Sequence, residues 1–260
     1  MTKINNKRKI IQLIMWPILF GIGQILVIVA MFLLLQMIKP ISFVEFEVQD
    51  RLRTILFPAT AFTFLIFFPL FYKKYRKENI NHFQLKKFKM VYYSLFGVVT
   101  SFVINLFFIK LERMLPITPS LNRIEVIYDW FYIGRIISTA FIGPVLEELL
   151  FRGFLYQEAK KYMKNMRAII FVTVLFTLCH TTIYSMLTAL VTSFLVLDAL
   201  EKEKSITGPI LFHIFLNLTS ILFIPLVIKY QTLWIDILFG IMLICFMMLY
   251  FLPNKKEIKE

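Results

Sequence analysis

Residues 168–197 read AIIFVTVLFTLCHTTIYSMLTALVTSFLVL, a stretch of 30 residues without Asp, Glu, Lys or Arg. A helix needs about 20 apolar residues to cross the hydrocarbon core of a bilayer. The stretch is therefore either one tilted helix or two short helices that break near His180, Thr181 and Thr182. The choice between these alternatives fixes the number of spans and the side of the membrane on which the chain ends.

The rest of the chain has the same apolar character. Of its 260 residues, 59% are hydrophobic, whereas soluble domains are roughly half apolar. The pattern predicts an all-α, polytopic membrane protein that forms a single integral membrane domain over residues 1–260. The other predicted helices are Ile10–Ile38, Thr54–Tyr72, Met90–Ile109, Ile124–Leu150, Ile206–Ile228 and Leu233–Leu252.

The distribution of positive charge favours two helices within residues 168–197. Seven Lys and Arg residues lie in the loop 73–89 and five in 152–167, whereas 39–53 and 110–123 have three each, diluted by acids. Positive loops face the cytoplasm, which places the N-terminus inside. Two helices return the basic C-terminal tail to the same side. We therefore predict about eight transmembrane helices with both termini cytoplasmic, and we assign the net charge of +13 to inner-face loops rather than to nucleic-acid binding.

Several polar residues have simpler interpretations. The segment Asn79–Met90 can lie along the membrane surface, and His82 within it is interpreted as an interfacial residue. Cys179 and Cys245 both lie in apolar segments and form no metal or disulfide motif. Asp129 and Arg135 are interpreted as structural.

Three stretches place ionisable or polar groups inside apolar segments. They are Glu147, Glu148 and Arg152; Phe176 and His180; and His213 and Asn217. Because such groups are expensive at membrane depth, they indicate a functional site by default. At 1.5 Å per residue, His180, His213 and Asn217 lie roughly 18, 10 and 16 Å along their helices. With the fourth helix ending near Arg152, the two glutamates lie about one turn inside the membrane, so one polar cavity can hold all of them.

Spacing separates the roles of the two glutamates. Glu148 and Arg152 are four residues apart in the order that favours a helical ion pair, so we interpret this pair as structural. Glu147 is rotated from Glu148 by about 100° around the helix axis and is not in position for the ion pair with Arg152. His213 and Asn217, also four apart, share a helix face. Gly143-Pro144 is expected to loosen the helix and to let another backbone approach.

The ordered motifs EExxxR, FxxxH and HxxxN resemble those of the CPBP family, the CaaX-protease and bacteriocin-processing (Abi-type) intramembrane proteases. The eukaryotic relative is the Ras-converting CaaX endopeptidase. The resemblance covers roughly residues 124–228, which we take as the catalytic core. Each motif alone is weak evidence, whereas three in order within a polytopic membrane protein are strong evidence.

The resemblance implies an intramembrane endopeptidase in which activated water hydrolyses a peptide bond. Glu147 would act as general base, with His180 sharing the water, while His213 and Asn217 would stabilise the oxyanion. Glu148, Arg152 and Phe176 would support them. This mechanism needs no cofactor. Glu147, His180 and His213 also form a zinc-type ligand set, so a metalloprotease remains the alternative.

The resemblance also indicates a class of substrate and a cellular location. We expect a multi-pass protein of a bacterial cell membrane that cleaves a peptide pheromone, a bacteriocin precursor or a membrane-protein tail. The main alternative is a non-proteolytic immunity or scaffold protein of the same family, which binds a partner within the membrane. A transporter would show internal repeats or paired half-helices, and the sequence shows neither.

Overall fold

The computed structural model describes residues 3–40, 45–76, 84–114, 130–223 and 234–251, and all regular structure in these ranges is helical. They contain eight continuous helical runs, which agrees with the eight predicted helices. Parts of the predictions lie outside the described residues. They are those that fall on residues 79–83, including His82, on 124–129, including Asp129, and on 224–228, 233 and 252.

The first three helices are longer than the apolar segments from which they were predicted. The fourth run is continuous from Trp130 to Lys160, although two of its segments have π-helical hydrogen bonding. The elements are α1 (Lys3–Ile38), α2 (Glu45–Arg76), α3 (Lys87–Met114), α4 (Trp130–Ile136), π1 (Ile137–Ile142), α5 (Gly143–Glu148), π2 (Leu149–Tyr156), α6 (Gln157–Lys160), α7 (Asn165–Leu178), α8 (Ile183–Glu203), α9 (Thr207–Leu222) and α10 (Trp234–Phe251).

The outer surfaces of the long helices suit a lipid environment. The segments Arg8–Ile38, Thr54–Arg76, Lys87–Leu111 and Ile183–Glu203 are each long and apolar enough to cross a membrane. Large side chains such as Leu26, Leu65 and Ile244 are more than 60% exposed. In water these surfaces would be unfavourable, whereas lipid tails are as apolar as the side chains themselves.

The long charge-free stretch breaks where the sequence predicts. Helix α7 ends at Leu178 and α8 begins at Ile183, so His180 lies in the turn between them. Thr182 caps α8: its Oγ1 accepts a hydrogen bond from the Ser185 backbone N–H, while the Ser185 side chain accepts one from the Thr182 N–H. This reciprocal capping box satisfies two backbone donors at the helix start, so the break has a local cause.

The fourth run corrects one prediction. Its helix does not end near Arg152 but continues to Lys160. Glu148 therefore lies twelve residues from the end of the run, or roughly 18 Å at 1.5 Å per residue, instead of one turn. Residues 153–156 are apolar and buried, so they extend the helix beyond the single basic residue on which the prediction relied.

The described chain forms two compact units, residues 1–84 with 128–206 and residues 85–127 with 207–260. In the first unit, α2 packs against α1, α4 and both π-helical segments, and α7 packs against α8 and π2. In the second unit, α3 packs against both α9 and α10. There, the Tyr92 hydroxyl donates to the Leu249 carbonyl oxygen at 2.7 Å, and Lys110 forms a 2.9 Å ion pair with Asp236.

Two glycines allow α3 and α9 to approach closely in the second unit. A Cβ atom added to Gly97 would overlap the carbonyl oxygen of Phe212, and one added to Gly208 would lie 3.0 Å from the Tyr93 ring. The first neighbour is backbone and cannot move without shifting the helix. Gly97 therefore sets the distance between α3 and the part of α9 that precedes His213.

Gly97→Ala should destabilise the protein by about 1–3 kcal/mol, as overpacking of a close contact does. Gly240→Ala on α10 is the control, because no described atom lies within 4 Å of its added Cβ. Its stability should stay the same or rise slightly, since Ala favours a helix over Gly. Unfolding in detergent micelles measures both variants. Equal stability of the two would contradict the close approach at Gly97.

Candidate active site

The two glutamates lie in a short α-helical segment between two π-helical ones. In π1, the Gly143 N–H donates to the Ser138 carbonyl, five residues back. Pro144 has no N–H, and its ring disfavours a regular helical turn before it, which explains the wide turn. π-Helical turns are rare and frequently occur at functional sites.

The second expected effect of Gly143 is not observed. Among the described residues, a Cβ atom at this position would approach only its own helix: the Ser138 carbonyl oxygen at 3.2 Å and Glu147 Oε1 at 3.8 Å. The glycine therefore accommodates the wide turn and the Glu147 side chain, and it does not admit another backbone.

Glu148 and Arg152 form the predicted ion pair. Glu148 Oε1 lies 3.3 Å from Arg152 Nη1, and their side chains are 0% and 1% exposed. Removing two charges from water costs several kcal/mol per ion, and their attraction offsets this only with good geometry and further polar partners. The remaining contacts of the guanidinium are therefore central to the site.

Arg152 also contacts the helices on either side of the break. Its Nη2 donates to Ser193 Oγ on α8 at 3.0 Å, and Ser193 Oγ lies 3.1 Å from Thr173 Oγ1 on α7. Its guanidinium carbon lies 4.1 Å from the centre of the Phe176 ring, a cation–π distance. One side chain thus connects π2, α7 and α8 in the interior of the first unit.

Phe176 connects Arg152 to His180. Its ring meets the His180 ring edge to face, with 4.9 Å between centroids, and it also packs against Phe151 at 5.0 Å. Its carbonyl oxygen lies 2.9 Å from His180 Nδ1. A carbonyl only accepts, so Nδ1 carries the hydrogen and donates it. In the neutral ring, Nε2 is then the nitrogen with an available lone pair. The FxxxH motif therefore fixes both the orientation and the tautomer of the histidine.

Glu147 lies next to this network. Its side chain is partly buried, whereas Glu148 is fully buried. Its carboxylate interacts electrostatically with Arg152 and with Cys179, the residue that precedes His180. The carboxylate is therefore close enough to both residues to act on their charges. The two glutamates therefore differ in burial, and the division of their roles stays a prediction.

His213 and Asn217 lie in the second unit, on the uninterrupted helix α9. Four residues of α-helix separate them by about 40° around the axis, so they share a face. Both side chains are partly buried. Their position follows from the close α3–α9 packing at Gly97, which begins one residue earlier at Phe212.

The structure divides the zinc-type ligand set between the two units. Glu147 and His180 belong to the first unit and His213 to the second. Within the described part of the first unit, no three His, Cys, Asp or Glu side chains form a group that could hold a metal ion. A zinc site built from the predicted ligands would need both units, and it stays a prediction.

Sequence reasoning missed three residues that position the motif side chains. Ser193 and Thr173 are fully buried polar residues in apolar helices, but Ser and Thr commonly bond to their own helix backbone, so their presence alone signals little. Gly97 lies in α3, which carries no motif. Only the packing of the helices shows what these three residues contact.

A comparison with protein families finds a similarity over the motif region. Residues 129–219 match the family model described as type II CAAX prenyl endopeptidase Rce1-like. The match contains all three motif stretches, from Glu147 to Asn217. Over this segment the chain is similar to the CaaX-protease (CPBP) family, in agreement with the resemblance of its motifs. No curated protein and no solved structure matches the chain.

Glu148→Gln should destabilise the protein by about 3–5 kcal/mol, because it leaves the buried guanidinium of Arg152 without a countercharge. Asp198→Asn is the matched control. It removes the carboxylate of another i,i+4 pair, with Lys202, that is about 40% exposed, and exposed pairs contribute less than about 1 kcal/mol. Unfolding in mixed micelles compares the two variants. A small effect of Glu148→Gln would show that the buried pair is not required for stability.

Proposed function

We propose that the protein is an intramembrane endopeptidase in which Glu147 activates the attacking water. The observation that supports the proposal most directly is the contact of the buried Glu148, Arg152 and Phe176 with the partly buried His180, together with the nearby carboxylate of Glu147. An ion pair that only stabilised the helix would not need to be connected, through Phe176, to a histidine of fixed tautomer. The similarity of residues 129–219 to a protease family supports the same conclusion.

The reaction begins with water held near Glu147 and His180. The Glu147 carboxylate accepts a proton from the water, and His180 Nε2 accepts a hydrogen bond from its other hydrogen. The water oxygen attacks the carbonyl carbon of the scissile peptide bond. Glu147 then gives the proton to the leaving nitrogen, the C–N bond breaks, and the products are a carboxylic acid and an amine, which takes up the remaining proton of the acid.

The tetrahedral intermediate needs donors for its negatively charged oxygen. We assign this role to the side chains of His213 and Asn217, which share one face of α9. A donor of this kind contributes about 10²–10³ to the rate. No metal is needed in this scheme; zinc held by Glu147, His180 and His213 is the alternative that a chelator tests.

The substrate is proposed to be a membrane-associated peptide or protein tail, such as a peptide pheromone or bacteriocin precursor. It would enter from the cytosol or laterally from the lipid of a bacterial cell membrane, with both protein termini in the cytoplasm. The basic loops at the proposed inner face support this orientation.

Glu147→Gln should lower the rate of peptide cleavage by about 10²–10⁴, the usual effect of losing a general base. Glu203→Gln, at the end of α8, is the control and should cleave as the wild type does. The purified proteins are incubated with a library of membrane-associated peptides, and products are identified by mass spectrometry. Undiminished cleavage by Glu147→Gln would exclude Glu147 as the base.

Two further results would redirect the proposal. Loss of cleavage with chelator, restored by zinc, would establish the metalloprotease alternative. If the folded wild type cleaves no peptide but binds a membrane partner equally well with and without Glu147→Gln, the protein is a non-proteolytic immunity or scaffold protein.

A further inference from the structure

Helix α8 is linked to the fourth run at two points within the first unit. At the first point, Arg152 Nη2 donates to Ser193 Oγ, and at the second, Lys160 Nζ donates to Glu201 Oε1 at 2.8 Å. Both links join residues 41 positions apart in the chain, so the two points have the same spacing on the run and on α8. That spacing is about two helical turns, or roughly 12 Å along α8. The second link exists because the run continues past Arg152 to Lys160.

The second link is a network rather than a single ion pair. Glu201 Oε2 accepts from Lys204 Nζ at 2.9 Å, so both oxygens of the carboxylate are bonded. The ammonium group of Lys160 also lies 4.8 Å from the centre of the ring of Tyr156, which is fully buried. The side chains of Lys160 and Glu201 are each 24% exposed. Networks of several charges contribute to stability where isolated exposed pairs contribute little.

A neighbouring ion pair on α8 lacks this geometry. Asp198 and Lys202 are four residues apart on the same helix, and their side chains are 42% and 39% exposed. This pair contributes to α8 itself and does not connect α8 to the fourth run. It therefore provides a matched control for the link through Glu201.

The contact between Arg152 and Ser193 depends on the position of α8 relative to the run. The Nη2–Oγ distance is 3.0 Å, and hydrogen bonds of this kind are about 2.7–3.2 Å long. A shift of α8 by about 1 Å would therefore break the contact. Helix α8 also begins directly after the turn that contains His180. Two links spaced along α8 oppose its sliding and tilting, whereas a single link would act as a pivot.

We propose that Glu201 is a positioning residue for the proteolytic site. Bonded to Lys160, it keeps α8 in the register in which Ser193 accepts the hydrogen bond from Arg152 and in which the turn before α8 presents His180. Glu201 lies two turns from Ser193, so it acts through α8 and not on the substrate. The inference rests on the proposed function, because its first readout is peptide cleavage.

The experiment is a double-mutant cycle on the full-length protein in detergent micelles. Its variants are Lys160→Gln, Glu201→Gln and the two combined. Lys160→Arg is the conservative variant, because arginine keeps the charge and can bond the same carboxylate, and Asp198→Asn is the matched control. Three quantities are measured for each protein: kcat and KM with a peptide that the wild type cleaves, the midpoint of unfolding, and amide hydrogen exchange in the turn between α7 and α8.

Lys160→Gln and Glu201→Gln should each lower kcat by about tenfold with little change in KM, since a 1 Å misplacement in a catalytic site can cost about 10² in rate. The combined variant should be no slower than either single variant, because both remove the same link. Lys160→Arg and Asp198→Asn should cleave as the wild type does. A lower midpoint of unfolding with unchanged kcat would overturn the proposal and show a purely structural ion pair, and so would additive effects of the two substitutions.

Hydrogen exchange separates this proposal from the proposed function. If the wild type cleaves no peptide, the proteolytic function fails, but the link can still be tested at the turn. Exchange there should be at least about threefold faster in Lys160→Gln and in Glu201→Gln than in the wild type, because the turn opens locally more often, and it should be unchanged in Asp198→Asn. Equal exchange in all of these proteins would show that Glu201 does not control the turn.

Discussion

The buried guanidinium of Arg152 is the constraint on which the candidate site depends. A charge in a fully buried position is tolerated only when a countercharge and further polar or aromatic groups surround it. Here Glu148 provides the countercharge, Ser193 accepts a hydrogen bond, and the face of Phe176 covers the cation. These partners come from three different elements. Arg152 therefore obtains all three contacts only when those elements pack together in this arrangement.

This arrangement gives a physical reason for the spacing of two motifs. In EExxxR, the second glutamate pairs with the arginine one turn later, which leaves the first glutamate on a different side of the run. In FxxxH, the phenylalanine contacts the arginine through its ring and the histidine through its carbonyl oxygen. The structural residues of the motifs thus connect Glu147 and His180, the two side chains to which we assign the chemistry at the water.

The membrane explains why the first unit can be built in this way. Its long helices expose apolar side chains that need no protein partner in lipid, so the buried interior is left for polar and aromatic contacts. The π-helical segments around Gly143–Glu148 are tolerated in the membrane, because their backbone groups still form hydrogen bonds within the chain. At the ends of the same helices, the ammonium group of Lys74 lies over the rings of Trp16 and Phe154.

The sequence by itself determined the helical class, the helix break near His180 and the ion pair between Glu148 and Arg152. Apolar length, the polar interruption at Thr181–Thr182 and i,i+4 spacing are local properties that one chain segment carries. Only the tertiary structure decided that the fourth run continues to Lys160, that Ser193 and Thr173 complete the contacts of Arg152, and that Gly97 sets the position of α9. These features depend on which side chains of distant segments meet. A helix extends past a basic residue when its next turn can be buried. A serine or glycine acquires a role from the partner that packs against it.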